Sequence, residues 1–171
     1  MRWLVDGYNV IRRDADLRGH EQDSLQAGRT ALLAAVAAAA RRTGDQFTVV
    51  FDGARRDAPA SASGQVQVIF SRPPETADDV LRAMAGKAGA GTVVASSDRA
   101  VRDAARRAGA VTVSAEDFVA AMRGSADAED EDDSGPRPVN RGGNPHRASR
   151  DERAARRALA RLRAGGASGD W

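Results

Sequence analysis

Short apolar runs alternate with helical stretches along most of the chain. Arg2–Val5 (RWLV), Phe47–Phe51 (FTVVF), Val66–Phe70 (VQVIF), Thr92–Ala95 (TVVA) and Ala110–Val113 are rich in β-branched and aromatic residues and predict strands. Helices are predicted over Asp23–Thr43, ending at Gly44; over Thr76–Lys87, with Thr76 as N-cap; over Arg99–Ala108, closed by Gly109; and over Ala115–Arg123. The stretch between RWLV and Asp23 carries no assignment. FTVVF and TVVA are nearly continuous in apolar residues, which is the pattern of strands covered on both faces. Strand and helix in alternation predict an α/β sandwich of βαβ units around a mainly parallel sheet. No internal repeat is present, and neither GxGxxG nor GxxxxGK[ST] occurs, which removes the usual dinucleotide and nucleotide-phosphate loops.

Composition changes near Gly124. The acidic run Asp127–Asp133 (DAEDEDD) is succeeded by a Gly/Pro/Asn/Arg stretch and then an Arg/Ala segment. The expected organisation is a folded domain at 1–123, a linker at 124–147 and a basic tail at 148–171. In the tail, Ser149 and Glu152 form a possible capping box ahead of a helix, Arg153–Leu162. Leu159 and Leu162 give it only a thin apolar stripe, so it is not expected to pack firmly. Its arginines suit RNA or ribosome binding by counterion release, with the acidic run folding back to screen them; a solubilising extension is the plain alternative.

The chain has 171 residues, is 42% hydrophobic and 29% charged, and has no cysteine, which excludes disulfide frameworks and thiolate sites. The start lacks a leader-like apolar stretch. The longest apolar run, Ala31–Ala40, is closed by Arg41 and Arg42 and is too short to span a bilayer. A soluble, cytoplasmic protein is expected, with no membrane partner. The only histidines, His20 and His146, sit in polar stretches, so zinc and His-based proton transfer are not expected.

The chemistry lies in the residues just beyond each strand. RWLV runs directly into Asp6 (DGYN), FTVVF into Asp52 (DG), and TVVA into Ser96, Ser97 and Asp98. In an open α/β sheet ligands bind outside the carboxyl ends of the strands, so three strands deliver an aspartate to one edge. Asp78, in the first turn of the helix opening ETADD, enters near that edge if the crossover is right-handed. Each aspartate alone also fits a cap or a turn, and Asp98 in particular fits as the cap of the helix from Arg99. Their succession points further. Converging carboxylates repel unless a cation is present, and an all-oxygen set suits Mg²⁺ or Mn²⁺.

DGYN, FDG, ETADD and SSD, in this order over about residues 2–122, resemble the NYN domain, and most closely its YacP-like bacterial branch within the PIN-like nuclease superfamily. The resemblance implies a PIN-like α/β/α fold and Mg²⁺-dependent endoribonuclease activity linked to mRNA decay on ribosomes. It implies that Asp6 and Asp78 are the core metal ligands, that Asn9 orients a water, ligand or phosphate, that Asp98 serves a second metal or its water, and that Asp52 stands near the site. Ser97 and the arginines Arg55, Arg56, Arg12, Arg13 and Arg72 are candidate phosphate contacts, with placement near the site edge favouring Arg55 and Arg72, and with capping and solvated surface roles as their plain alternatives. Tyr8 fits a base-stacking role or, better, a wall of the core. No preference for DNA is read from the sequence.

Two competing functions remain at this level: an RNA- or ribosome-binding adaptor without catalysis, and a phosphatase with an aspartyl nucleophile. The phosphatase ranks last, because Tyr8 stands where its second acid belongs.

Overall fold

The computed structural model describes residues 1–53, 64–124 and 149–164. Five strands, β1 (Arg2–Asp6), β2 (Gln46–Phe51), β3 (Val66–Phe70), β4 (Thr92–Ala95) and β5 (Val111–Val113), form one sheet in the order β3-β2-β1-β4-β5. Every pairing is parallel. The helices among the described residues are α1 (Gly7–Arg13), α2 (Ala15–Asp23), α3 (Leu25–Thr43), α4 (Ala77–Ala85), α5 (Arg99–Arg107), α6 (Ala115–Arg123) and α7 (Arg150–Ala164).

Strand side chains alternate between faces, and both faces are apolar and buried. Trp3 and Val5, Phe47, Val49 and Phe51, and Val93 and Ala95 meet Ile11, Leu32, Val36, Phe118 and Leu162 on one side. Leu4, Val50 and Val94 meet Leu81, Ala85, Val101 and Ala105 of α4 and α5 on the other. The result is the expected three-layer α/β/α sandwich, with a wholly parallel sheet. Strand order reverses at β1: the chain leaves it toward β2 and β3, then returns through α4 to place β4 on its other side.

Two parts of the chain depart from the pattern. Residues 7–23 form two helices, α1 and α2, capped by Asp6 and Asp14, whose carboxylates accept from Asn9 N and Leu17 N. α1 spans only about two turns and α2 buries Leu17 alone, so neither shows a readable apolar face. The C-terminal helix packs firmly, contrary to the expectation from its two leucines. Ala158 and Leu162 are fully buried and Ala155 and Leu159 partly so, against α6, β5 and α3. The alanines complete the stripe: small side chains let the helix approach closely, and their burial adds to that of the leucines. Its predicted capping box is present, with Glu152 N donating to Ser149 Oγ and Ser149 N to Glu152 Oε2.

α7 is also latched by charge. Asp45, fully buried just after the αL cap Gly44 (φ 72°), accepts from Arg161 Nη2 at 3.0 Å, from Trp3 Nε1 at 3.1 Å and from the Met1 ammonium. Burial alone would raise the Asp45 carboxyl; the hydrogen bonds from the ammonium, Arg161 and Trp3 outweigh it and hold the group below its ordinary 3.8. Among the described residues, no helix is long and apolar enough to cross a membrane.

Candidate active site

Asp6 ends the central strand and caps α1. Helix α1 begins at once, at Gly7, a position that takes no side chain: a Cβ would lie 2.3 Å from the Phe51 ring. The period of two puts Asp6 on the face of Leu4, Ser96 on that of Val94 and Asp52 on that of Val50, the face covered by α4 and α5. Asp6 is 6% exposed. One oxygen accepts from Asn9 N at 3.3 Å and the other from Ser96 Oγ at 2.9 Å. Burial pushes this carboxyl up from its ordinary 3.8, and the like charges of Asp78 and Asp98 add to the rise; together they exceed the pull of the Ser96 and Asn9 hydrogen bonds.

Ser96, fully buried, also accepts from Asp98 N at 3.0 Å. One hydroxyl thus sets the spacing between β1 and the loop after β4. Asn9 Oδ1 makes a parallel tie by accepting from Ser97 N at 3.1 Å. Asp98 does cap α5, through Val101 N to Oδ1 at 2.9 Å, which leaves its second oxygen for the cleft. Asp52 is exposed and accepts from Ser71 Oγ at the end of β3. Asp78 is exposed in the first turn of α4, and its carboxylate makes no hydrogen bond or ion pair among the described residues. Its neighbour Asp79 is committed to a capping box with Thr76 and to Arg82.

Asp6, Asn9, Asp52, Asp78 and Asp98 all line one cleft of about 510 Å³, together with Tyr8, Arg12 and Arg13. The cleft sits at the carboxyl ends of β1 and β4, the switch point of the sheet, where such folds bind ligands. Of the other predicted phosphate contacts, Ser97 and Arg72 are not brought in. Ser97 Oγ donates to Glu116 at 2.7 Å and accepts from Ala115 N, tying its loop to α6. Arg72 is exposed beyond β3, outside the cleft lining. Arg55 and Arg56 lie outside the described residues. Ser96 carries more of the site than the chain's pattern suggests; an SSD run after a buried strand is compatible with capping alone, and only the fold shows the hydroxyl reaching Asp6. Arg29, also without a signal in the sequence, stands behind Tyr8.

The donors fit a hard divalent ion: all are oxygens, and burial, with the like charges of Asp78 and Asp98, raises the Asp6 carboxyl above its ordinary value, a penalty on its charged form that a cation relieves. Among the described residues, however, no three acidic or imidazole groups stand together as a ready cluster. The carboxylates share a cleft without closing on a point, an arrangement suited to an ion that keeps waters and borrows oxygens from a phosphate.

The YacP-like NYN domain matches residues 3–163. Two solved structures are similar: Rae1 (YacP) from Bacillus subtilis, at 29% identity and a TM-score of 0.61, with 72% of this chain and 74% of that one covered; and a tryptophan-to-leucine mutant of the same Bacillus protein, at 30% identity and a TM-score of 0.60, with 71% and 74% covered. No curated protein matches the chain.

Proposed function

The chain belongs to the YacP-like NYN family, a nuclease-like family of PIN-like fold whose function is RNA-related, and on that premise we propose that it is a cytoplasmic, divalent-metal-dependent endoribonuclease that cuts mRNA, with the translating ribosome as its setting. The observation that carries this reading is the buried Asp6 at the switch point, lining one cleft with Asp78 and Asp98 and raised by the like charge of both.

Asp6 and Asp78 would hold the ion, Mg²⁺ or Mn²⁺, with the free oxygen of Asp98 and the nearby Asp52 completing the acidic wall. When bound, the ion supplies a Lewis acid that offsets phosphodiester charge and makes water a better nucleophile. The chain's own part is positioning. Ser96 and Asn9 fix the Asp6 carboxylate, and Ser96 also fixes the loop that carries Asp98, so these acids meet a substrate without rearrangement. Among the described residues, none of the groups lining the cleft is a histidine, so proton transfer there falls to carboxylates and water. The nuclease unit would be residues 1–123 completed by α7, whose Ala158 and Leu162 fill the same core and most of whose arginines are exposed.

The openness of the acidic set favours one alternative, an RNA- or ribosome-binding adaptor without catalysis. A single comparison separates the two: wild type, Asp6→Asn and Asp78→Asn on RNA, alone and with translating ribosomes, in Mg²⁺, Mn²⁺ and EDTA. Cleavage by wild type that both substitutions and EDTA abolish is the expected result. Binding of RNA or ribosomes with no cleavage in any condition would overturn the nuclease reading and leave the adaptor.

A further inference from the structure

The cleft lining joins carboxylates to side chains of another kind. Among them is Tyr8, half-buried, with its ring edge-on to Phe51 at 5.3 Å between centroids. Its hydroxyl oxygen accepts twice from one guanidinium, from Arg29 Nε at 2.7 Å and from Arg29 Nη2 at 2.5 Å. A phenol has two lone pairs and one proton. Both lone pairs are taken, so the proton must go to another acceptor, and none is present among the described residues.

Arg29 itself is 9% exposed. It lies over the rings of Tyr8, Phe51 and Phe70 at 5.5 to 5.9 Å and forms no ion pair with a carboxylate among the described residues. A buried cation without a counter-ion is costly unless it serves something. A second cation, Arg12, sits on the cleft side at 5.7 Å from the centre of the Tyr8 ring, exposed and with no ion pair among the described residues. Tyr8 is therefore a donor polarised from behind by one arginine and flanked by another.

We infer that Tyr8, backed by Arg29 and flanked by Arg12, is an anchoring site for a phosphodiester group of RNA, in the same cleft as the carboxylates. The inference rests on the nuclease reading for the identity of the ligand, and extends it by giving the cleft's tyrosine and arginines a role. The Tyr8 O–H donates to a non-bridging phosphate oxygen. Arg29 strengthens that donor and gains a counter-charge through it without touching the ligand. Arg12 meets the same phosphate from the solvent side. Tyr8 and Arg12 are binding residues in this arrangement and Arg29 is a positioning residue.

The test is the affinity of a fluorescently labelled single-stranded oligoribonucleotide for the full chain, by anisotropy in Ca²⁺, alongside cleavage in Mg²⁺ and the thermal unfolding midpoint. Tyr8→Phe keeps the ring and removes only the hydroxyl. The expected result is a loss of affinity of roughly tenfold to a hundredfold, the worth of a hydrogen bond to a charged group, with a rise in KM; the midpoint falls as well, because Arg29 loses its acceptor, and affinity is read at a temperature where the variant is fully folded. Arg29→Lys should give a smaller loss in the same direction. Unchanged affinity and KM for Tyr8→Phe, or no binding by wild type, would overturn the inference. If wild type binds but does not cut while Tyr8→Phe still loses affinity, the nuclease reading fails and the anchor stands; if wild type cuts and Tyr8→Phe binds and cuts equally well, the reverse holds.

Should Tyr8→Phe fail to fold, the wild-type backbone still reports. Tyr8 is the chain's single tyrosine, so fluorotyrosine incorporation places one ¹⁹F probe at this site. RNA should move its resonance, and an unmoved resonance at saturating RNA would overturn the inference.

Discussion

Replacing Asp45 with alanine should destabilise the fold by about 2–4 kcal/mol while leaving the cleft's residues untouched. The figure comes from what each partner loses. The Trp3 indole N–H is buried with its ring and has no other hydrogen bond among the described residues; left without an acceptor it costs about 1–3 kcal/mol. Arg161 and the Met1 ammonium are 54% and 31% exposed, so water can receive them, and losing their pairing adds about 1 kcal/mol. Set against a typical domain stability of about 5–15 kcal/mol, the loss should be plain in urea unfolding followed by tryptophan fluorescence. Acid provides a second axis. The folded carboxyl lies below its ordinary 3.8 because its hydrogen bonds outweigh burial. Its contribution is therefore complete above the unfolded value and lost as pH falls through the folded one. Wild type should lose more stability than Asp45→Asn between about pH 5 and about pH 2. An unfolding midpoint for Asp45→Ala within error of wild type at neutral pH, together with equal acid slopes, would refute this account of the buried cluster.

Three further outcomes rest on local contacts. Ser96→Ala removes the hydroxyl shared by Asp6 and Asp98 N; it should cost about 1–3 kcal/mol in unfolding experiments and lower kcat more than it changes KM. Gly7→Ala drives a methyl into the Phe51 ring and should cost about 1–3 kcal/mol, with loss of RNA affinity because Tyr8 moves with the same turn. Asp79→Ala breaks only a capping box and a surface ion pair; it should lower the unfolding midpoint slightly and spare metal-dependent cleavage, whereas Asp78→Asn should abolish cleavage and keep the midpoint.

The layers, the parallel sheet and the edge where the aspartates gather are legible in the sequence because they rest on periodicity and on the rule that ligands sit beyond strand ends. FTVVF and TVVA can be read as doubly covered strands without any tertiary knowledge. Short-range capping is also readable, as with Thr76 and with Ser149–Glu152. What stays hidden depends on pairs far apart in the chain. Ser96 reaches Asp6, Asp45 reaches Arg161, and Arg29 reaches Tyr8 only after the sheet has formed. The firm packing of α7 is illegible for a different reason: alanines at helical spacing look neutral in a sequence, yet against a neighbouring helix they supply close contact. Asp98 fills both roles open to it, a cap through one oxygen and a member of the acidic cleft through its position.

The sealing of the fold by its last helix bears on how the protein is made. A chain emerges from its N-terminus at about 5–20 residues per second, so Trp3 and Asp45 precede Arg161 and Leu162 by on the order of ten seconds. Throughout that interval the groove that Ala158 and Leu162 fill is open, and the Asp45 carboxylate lacks its arginine. A nascent or truncated chain that stops short of Leu162 therefore exposes apolar surface beside an incompletely paired buried charge, the signature by which chaperones and proteases distinguish unfinished products from finished ones.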